Sequence, residues 1–358
     1  MSLVALLLPP SAGLLVPPSA GLLVPPPSPP LLSAASRRSV LSTSLAAAGL
    51  LWKGDFAYAA ASDGLSLSNI GEPVISGAPL PLTVGLGTGP PYVQKDVEIA
   101  IDAGYRLFDT AQEYGSEGAI GNALKKAFTS GKVKREEVYV TTKVDIYNMG
   151  YEKTIKSVRE SYDLLGRLDG GIDLVLIHWP CPFVYKDDEP NAIQKYTNLR
   201  KKTWEALEKL QRDGVAKQIG VSNFGKRHLT ELLGYASIRP AVNQVEVHPY
   251  NQRMELEQLV KSEGIRFEAY SPLGKGRIGL FEDPTLVKIA KAKNKGVAAV
   301  ILRWLLQRNI TPIPLSRDEK RIKENLNVFD FTLTEDEMRA IAKLDRGQFV
   351  IMDDEDLA

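Results

Sequence analysis

Eight short runs of branched aliphatic and aromatic residues recur along the chain from Leu82 onward, and they restrict its possible folds more than any other feature. Runs of this kind are typical of strands, and the stretches between them have the apolar spacing of helices. The runs span Leu82–Gly87, Tyr105–Thr110, Val138–Val144, Asp173–His178, Gln218–Val221, Val242–Val247, Arg266–Tyr270 and Thr311–Pro314. This alternation of strand and helix predicts a parallel sheet built from βα units.

The intervening segments predict amphipathic helices. In one of them Ile155, Val158 and Tyr162 recur three and four residues apart, so their side chains would share one helix face. The five clearest segments span Val93–Ala103, Glu117–Phe128, Tyr151–Leu165, Lys201–Arg212 and Met254–Ser262. Each of these faces needs a sheet to cover it, which the strand runs supply.

Eight βα units fit a closed (β/α)8 TIM barrel of ~250 residues better than an open doubly wound sheet. The glycine-rich turn of a doubly wound fold opens a helix, whereas here Gly85-Leu-Gly87-Thr-Gly89 runs into Pro90-Pro91. We therefore predict an α/β TIM barrel over residues 61–358. Residues 65–81 are expected to form a hairpin that closes the barrel floor, and residues 334–358 a terminal helix and tail.

The first 60 residues differ in kind from the rest of the chain. Residues 1–54 contain no Asp or Glu, and nine of the 23 prolines lie between Pro9 and Pro30. Proline pairs fix φ and lack donors, which excludes helix or central strand, so this stretch is expected to be extended and disordered. Its composition predicts a targeting segment over residues 1–60.

An apparent signal follows within that segment. The pair Arg37-Arg38 precedes an apolar run that ends near Trp52, and Ala57-Tyr58-Ala59 resembles a cleavage site. The run is about a dozen residues, shorter than the ~20 that cross a bilayer, so no transmembrane helix is predicted. The pattern resembles a transit peptide for the chloroplast, with the stroma and the thylakoid lumen both left open. Bacterial twin-arginine export is the alternative.

Composition excludes several kinds of partner. The chain has 44 Lys+Arg against 43 Asp+Glu, a net charge of +1, which provides no field to recruit nucleic acid or an anionic membrane. One cysteine, Cys181, cannot form an internal disulfide, and three histidines make a structural metal cluster improbable. We expect no metal site.

Conspicuous polar residues gather where the predicted strands end, which is the end that carries the active site in such a barrel. They are Asp109, Lys143, His178, Ser222, Asn223, Gln244, Tyr270, Ser271 and Ser316, with Tyr114 in the loop after Asp109. Each alone has an ordinary explanation as a cap, a solvated charge or a packed ring. Their convergence at one end of one barrel favours function.

Four motifs carry a family resemblance. Gly104-Tyr-Arg-Leu-Phe-Asp109-Thr-Ala-Gln-Glu-Tyr114-Gly-Ser-Glu117 is followed by Leu176-Ile-His178-Trp-Pro180, Gly220-Val-Ser-Asn-Phe224 and Arg321-Ile-x-Glu-Asn325. Together they resemble the aldo-keto reductase family, in order and from about residue 69 to 346. The resemblance implies a barrel that reduces aldehydes and ketones with NADPH, through a tetrad of Asp109, Tyr114, Lys143 and His178.

Carbonyl chemistry supports those four roles. Hydride addition to a carbonyl carbon leaves charge on the oxygen, which a proton donor at that point stabilises. A tyrosine has a reference pKa of ~10, so Tyr114 needs a nearby cation such as Lys143 to make its anion less costly. Asp109 would hold that ammonium group, and His178 would donate a hydrogen bond to the substrate oxygen.

The resemblance also implies a set of cofactor contacts. Ser222, Asn223 and Gln244 would hold the nicotinamide carboxamide, Tyr270 would stack on the ring, and Ser316 and Arg321 would bind the 2′-phosphate. The full set is Thr88, Ser222, Asn223, Gln244, Tyr270, Ser271, Leu273, Ser316, Arg321, Glu324 and Asn325.

Two positions depart from the family pattern. Leu315 stands where a lysine commonly precedes the phosphate-binding serine, which weakens the preference for NADPH and leaves NADH possible unless Arg317 substitutes. Gly89 stands where an aromatic residue often follows the first strand, which enlarges the substrate mouth.

Two other functions remain as alternatives. The chain could be a non-catalytic nucleotide-binding barrel that serves as a redox-sensing or regulatory subunit. A glycoside hydrolase on the same fold needs two facing carboxylates, for which Asp109 and Glu246 are the candidates.

The expected substrate is a small-molecule carbonyl compound. Loops determine substrate specificity in such barrels, and the long loop of residues 182–196 has no recognisable motif that specifies the compound further. The tail beyond Arg346 is short and acidic, so we expect it to leave the mouth open. A monomer is expected.

Overall fold

The computed structural model describes residues 79–90, 94–184, 188–355 and 357–358, all within the unit Tyr58–Ala358. Among them, eight parallel strands follow one another in chain order from β1 to β8. The strands are β1 (Leu86–Gly87), β2 (Leu107–Asp109), β3 (Tyr139–Val144), β4 (Ile172–Ile177), β5 (Ala216–Ser222), β6 (Val242–Glu246), β7 (Arg266–Tyr270) and β8 (Ile310–Ile313). All eight predicted strands are confirmed.

Backbone hydrogen bonds join the last strand to the first. The Gly85 N–H donates to Pro312 O at 2.9 Å, and the Gly87 N–H donates to Pro314 O at 3.1 Å. These bonds close the sheet on itself, so the predicted TIM barrel is confirmed.

Ten α-helices within the described residues surround or follow the strands. They are α1 (Gln94–Ala103), α2 (Glu117–Thr129), α3 (Tyr151–Leu164), α4 (Ala192–Arg212), α5 (Lys226–Tyr235), α6 (Met254–Ser262), α7 (Pro284–Lys293), α8 (Val297–Gln307), α9 (Glu319–Asn325) and α10 (Glu335–Ala342). The five predicted helices are present, but α4 begins at Ala192 instead of Lys201. The helix therefore takes up part of the segment that we interpreted as a loop.

Apolar side chains form two main layers. The larger layer fills the space between the strands and the helices. The smaller one fills the lower barrel interior with Leu80, Leu107, Tyr139, Leu174, Leu176, Val242 and Ile313. Leu80 precedes the first strand and is 1% exposed, and Pro81 O accepts a hydrogen bond from Thr311 Oγ1 at 2.8 Å. The barrel floor is thus plugged by the residues that lead into β1.

Two predictions concern residues that the structure does not describe. The predicted targeting segment of residues 1–60 lies outside the described residues, as does the predicted hairpin of residues 65–81 except for its last three residues. Within the described part of the chain, no helix combines the length and apolar character needed to cross a membrane.

Helix α2 packs closely on the end of α3, and a glycine permits the approach. A Cβ atom at Gly121 would lie 2.4 Å from Leu164 O, a backbone atom that cannot turn aside. A Cβ atom at Gly118, in the first turn of the same helix, would meet nothing within 4 Å. The two glycines therefore form a matched pair for one substitution.

We predict that Gly121→Ala lowers the free energy of unfolding by ~1–3 kcal/mol, because the new methyl group forces the two helices apart. Gly118→Ala should leave the free energy unchanged or raise it by up to ~1 kcal/mol, because alanine has the higher helix propensity. Urea denaturation of the three proteins measures both effects. Equal stabilities for the two variants would show that α2 and α3 are not in close contact at Gly121.

Candidate active site

Three neighbouring strands present polar side chains at their carboxyl ends. Asp109 is the last residue of β2, Lys143 lies near the end of β3, and His178 directly follows β4. Tyr114 ends the 3-10 turn Gln112–Tyr114 above β2. The structure brings these four predicted residues together at one end of the barrel.

Lys143 and Asp109 form an ion pair inside the barrel. Lys143 Nζ lies 2.6 Å from Asp109 Oδ1 and 3.0 Å from Thr110 O, and both charged side chains are almost fully buried. Burial alone would lower the pKa of Lys143, but the charge of Asp109 and its hydrogen bond raise it, so the amine stays charged. The pair holds a fixed positive charge beneath Tyr114.

Tyr114 lies over that charge. Lys143 Nζ is 5.1 Å from the centre of the Tyr114 ring, and the phenolic oxygen is 3.5 Å from His178 Nε2. Burial raises the pKa of Tyr114, and the charge of Lys143 only partly offsets this effect. The phenol is therefore protonated at neutral pH, in the form that can donate a proton.

His178 completes the group as a neutral imidazole. Burial, and then the charge of Lys143, hold the pKa of His178 well below its usual range. Its Nδ1 atom lies 3.5 Å from Glu113 Oε2, and burial raises the pKa of that carboxyl group. Sequence reasoning did not single out Glu113, although it directly precedes Tyr114 in the first motif.

Gln244 links the ion pair to a second carboxyl group. Its Nε2 atom donates to Asp109 Oδ2 at 2.8 Å and to Glu268 Oε2 at 2.6 Å. Glu268 lies inside the barrel on β7 and has no exposed surface. Sequence reasoning missed this residue too.

Asn223 has protein partners at both ends of its amide. Its Nδ2 atom donates to His178 O at 2.9 Å and approaches Ser222 Oγ at 3.2 Å, while its Oδ1 atom accepts a hydrogen bond from Tyr270 at 2.7 Å. Asn223 adopts a left-handed backbone conformation with φ of 60°. The end of β5, which carries the predicted carboxamide ligands, is therefore tied to β4 and β7.

Three other predicted cofactor residues lie around the barrel rim. Thr88 is fully buried, and its hydroxyl group donates to Asp109 O at 2.8 Å and contacts Ser116 Oγ at 3.0 Å. Ser271 and Leu273 are partly exposed in the loop after β7. The Thr88 side chain thus joins the β1 loop to β2.

The predicted phosphate-binding residues follow β8. Ser316 Oγ accepts the Asp318 N–H at 3.2 Å, and Asp318 caps α9 by accepting the Arg321 N–H at 2.9 Å. The Arg321 and Glu324 side chains are exposed, whereas Asn325 is buried. Ser316 therefore lies in the short segment between β8 and α9, and Arg321 lies in the first turn of α9.

Leu315 lies beside the first-strand loop. Its side chain is half exposed, and its Cδ1 atom lies 3.2 Å from the point where a Cβ atom at Gly89 would stand. The Leu315 side chain therefore occupies part of the space that a larger residue at position 89 would need.

The acidic tail is docked. Glu246, at the end of β6, accepts the backbone N–H groups of Val350 at 2.6 Å and Ile351 at 2.8 Å. Further along, Arg253 Nη2 lies 2.8 Å from Asp354 Oδ1, and both side chains are buried. Because Glu246 is engaged by the tail, it does not form the facing carboxylate pair that a glycoside hydrolase needs.

The last residues of the tail pack beside the tetrad. Leu357 and Ala358 are fully buried in a cluster with Trp179, whose ring lies 6.4 Å from that of His178. Arg200 Nη1 donates to Ala358 O at 2.6 Å. Contacts distant in sequence therefore hold the tail down beside Trp179, and the expectation that it leaves the mouth open stays a prediction.

The sequence of this chain matches a protein-family model. Residues 83–346 match the model described as the aldo/keto reductase family. The match covers the whole barrel and includes the four residues of the tetrad.

Named proteins are similar over most of the same length. A 9,11-endoperoxide prostaglandin H2 reductase of Trypanosoma cruzi is 45% identical over 253 residues, which cover 70% of this chain and 82% of that protein. A glyoxal reductase of Bacillus subtilis is 44% identical over 256 residues, with 72% and 84% coverage. The crystal structure of a Bombyx mori aldo-keto reductase in complex with NADP superposes with a TM-score of 0.68 at 36% identity, covering 76% of this chain and 92% of that one.

Proposed function

This chain belongs to the aldo/keto reductase family, and we propose that it reduces aldehydes and ketones to alcohols with NADPH as a monomer, with Tyr114 as general acid. One observation carries the assignment of the acid. The Tyr114 hydroxyl group faces the neutral His178, while its ring lies over the charge of Lys143. A carbonyl oxygen that binds between the phenol and the imidazole would meet a proton donor and an uncharged polar group.

The residues of the barrel rim fit a nicotinamide cofactor. Gln244 has its amide nitrogen engaged by two carboxyl groups, which leaves its amide oxygen to accept from a carboxamide. Ser316 follows β8 and Arg321 lies in the first turn of α9, where a hydroxyl and a guanidinium group would bind a phosphate. When bound, the reduced nicotinamide supplies the hydride.

The protein's own part in the reaction is proton transfer and orientation. Tyr114 gives its phenolic proton to the substrate oxygen as negative charge develops there. Lys143 stabilises the phenolate that remains, and Asp109 keeps the ammonium group in place. His178 positions the substrate oxygen beside the phenol, and burial keeps its imidazole uncharged.

The substrates we propose are small carbonyl compounds. The relatives named above include reductases of glyoxal and of a prostaglandin endoperoxide, which differ greatly in size. In this chain, Trp179 lies beside His178, and the docked tail packs against Trp179. An apolar wall beside the reacting oxygen favours aldehydes with a short or flat apolar group.

We predict that Tyr114→Phe lowers kcat for aldehyde reduction by ~10²-fold or more, because the proton donor is lost while the ring remains. The Kd for NADPH should change little. Tyr139→Phe is the matched control, because it removes a buried hydroxyl group from the barrel floor, 3.3 Å from Gln218 Oε1. Turnover measured with a small aldehyde checks both variants, and undiminished turnover without the Tyr114 hydroxyl group would remove Tyr114 from the mechanism.

We also propose that NADPH is preferred over NADH only moderately. Arg321 is an exposed cation at the β8 end, but Leu315 next to Ser316 is apolar. A charge-assisted contact to phosphate is worth ~1.5–3 kcal/mol, so a missing cation at position 315 weakens selectivity by roughly one to two decades.

Leu315→Lys should therefore lower the Kd for NADPH by ~10-fold and leave that for NADH nearly unchanged, because NADH lacks the 2′-phosphate. Leu315→Met is the control, since it changes the shape without adding a charge. Titration of both cofactors by fluorescence quenching measures the difference. Unchanged or weaker NADPH binding would mean that Arg317, also exposed in this loop, already completes the site.

Finally, we propose that residues 1–60 direct the protein to the chloroplast and are removed there. The family match begins at residue 83, so this segment, which has no acidic residue before Asp55, precedes the part of the chain that the family model covers. Sequencing the N-terminus of the protein from separated stroma and thylakoid lumen should find a start near Ala60. Full-length protein outside plastids would contradict the proposal.

A further inference from the structure

We propose that Glu268 is a positioning residue for the cofactor, which turns the amide of Gln244 so that its oxygen faces the nicotinamide carboxamide. Glu268 lies on β7 directly opposite Gln244 on β6 in the sheet register. The contact is a hydrogen bond of 2.6 Å from Gln244 Nε2 to Glu268 Oε2. The inference rests on the proposed use of NADPH.

The orientation of the Gln244 amide follows from its neighbours. Its inner atom lies within 2.8 Å of oxygens from both Asp109 and Glu268. Asp109 is bonded to Lys143 through its other oxygen, so it remains an acceptor. The Asp109 carboxylate can only accept, so the inner atom is the nitrogen, and its second N–H group donates to Glu268.

Asp109 alone would not hold the amide as firmly. The terminal torsion of glutamine is broad, so one hydrogen bond leaves the amide plane free to rotate. Without Glu268, the second N–H group of Gln244 would also be buried without a partner, since Gln244 is 1% exposed. Two acceptors fix both the direction and the plane of the amide.

Glu268 performs this role best as a neutral group. Burial, and then the charge of Asp109, raise the pKa of Glu268 to about 8. Lys143 is bonded to Asp109 and not to Glu268, so the shared environment places the proton on Glu268 at neutral pH. Its carbonyl oxygen then accepts from Gln244 without adding a second negative charge beside Lys143.

The test compares a ligand that has the nicotinamide with one that lacks it. NADPH reaches Gln244 in the proposed site, whereas adenosine 2′,5′-bisphosphate occupies only the end near Ser316 and Arg321. Glu268→Met keeps a linear side chain and removes the acceptor. We expect it to raise the Kd for NADPH by ~10-fold and that for the bisphosphate by less than ~2-fold.

Glu268→Gln is the conservative variant that should retain the NADPH affinity lost in Glu268→Met. A glutamine keeps an amide oxygen that accepts from Gln244, so its NADPH affinity should stay within ~3-fold of wild type. Should Glu268→Met not fold, Glu268→Val removes the same acceptor with a residue suited to a strand. Failure of the Gln variant to retain affinity would overturn the proposal, because the acceptor would not be what matters.

Glu208→Met serves as the control for general destabilisation. Glu208 on α4 is a buried carboxylate that accepts from Ser237 N at 2.7 Å and Ile238 N at 2.9 Å, outside the barrel interior. Loss of the Glu208 carboxylate should lower the melting temperature. The ratio of the Kd for NADPH to the Kd for the bisphosphate should stay at its wild-type value. The same rise in that ratio as in Glu268→Met would overturn the proposal.

Two outcomes separate this inference from the proposed function. If the wild-type protein does not bind NADPH, the proposed function and this inference both fail. If the wild type binds NADPH and Glu268→Met weakens both ligands equally, or neither, the positioning role alone is overturned.

Discussion

The buried ion pair of Lys143 and Asp109 is the interaction on which the site depends. Transfer of either charge from water into a barrel interior costs several kcal/mol, and only the partner and further hydrogen bonds offset it. The barrel provides these through Thr110 O, directly after β2, for the ammonium group and through Gln244 on β6 for the carboxylate. An arrangement this costly adds little to stability, and its value lies in the fixed charge that it holds under Tyr114.

The barrel interior is divided into an apolar lower part and a polar upper part. Apolar side chains such as Leu107, Leu174 and Val242 fill its lower part, while the upper part is polar and linked by hydrogen bonds. Along β3 the inward-facing side chains change from apolar to polar within four residues, from Tyr139 in the apolar floor to Lys143 in the ion pair. A parallel sheet places all carboxyl ends together, and β3 and β6 each contribute an apolar side chain to the lower part and a polar one to the upper part.

Local patterns in the sequence were enough to predict the strands, the barrel and the residues that meet at its rim. Asp109 and Lys143 lie where two of the apolar runs end, and the carboxyl ends of the strands meet in any such barrel. Glu268 was missed because a single acid in Arg266–Tyr270 looks like a solvated strand position. Glu268 lies two residues before Tyr270, and residues two apart in a strand share one face, so the prediction that Tyr270 faces the site also indicated that Glu268 points inward. The docked tail could not be predicted, since Arg200 and Ala358 are far apart in the sequence and no periodicity links them.

The plug at the barrel floor limits where a leader sequence could be cut away. Leu80 is buried, and its neighbour Pro81 is bonded to Thr311 of the last strand. A peptidase acting well upstream would release a barrel with its base intact. One that cut past Leu80 would open a leucine-sized hole costing ~2–5 kcal/mol, so Leu80 marks the limit beyond which trimming of the chain would destabilise the barrel.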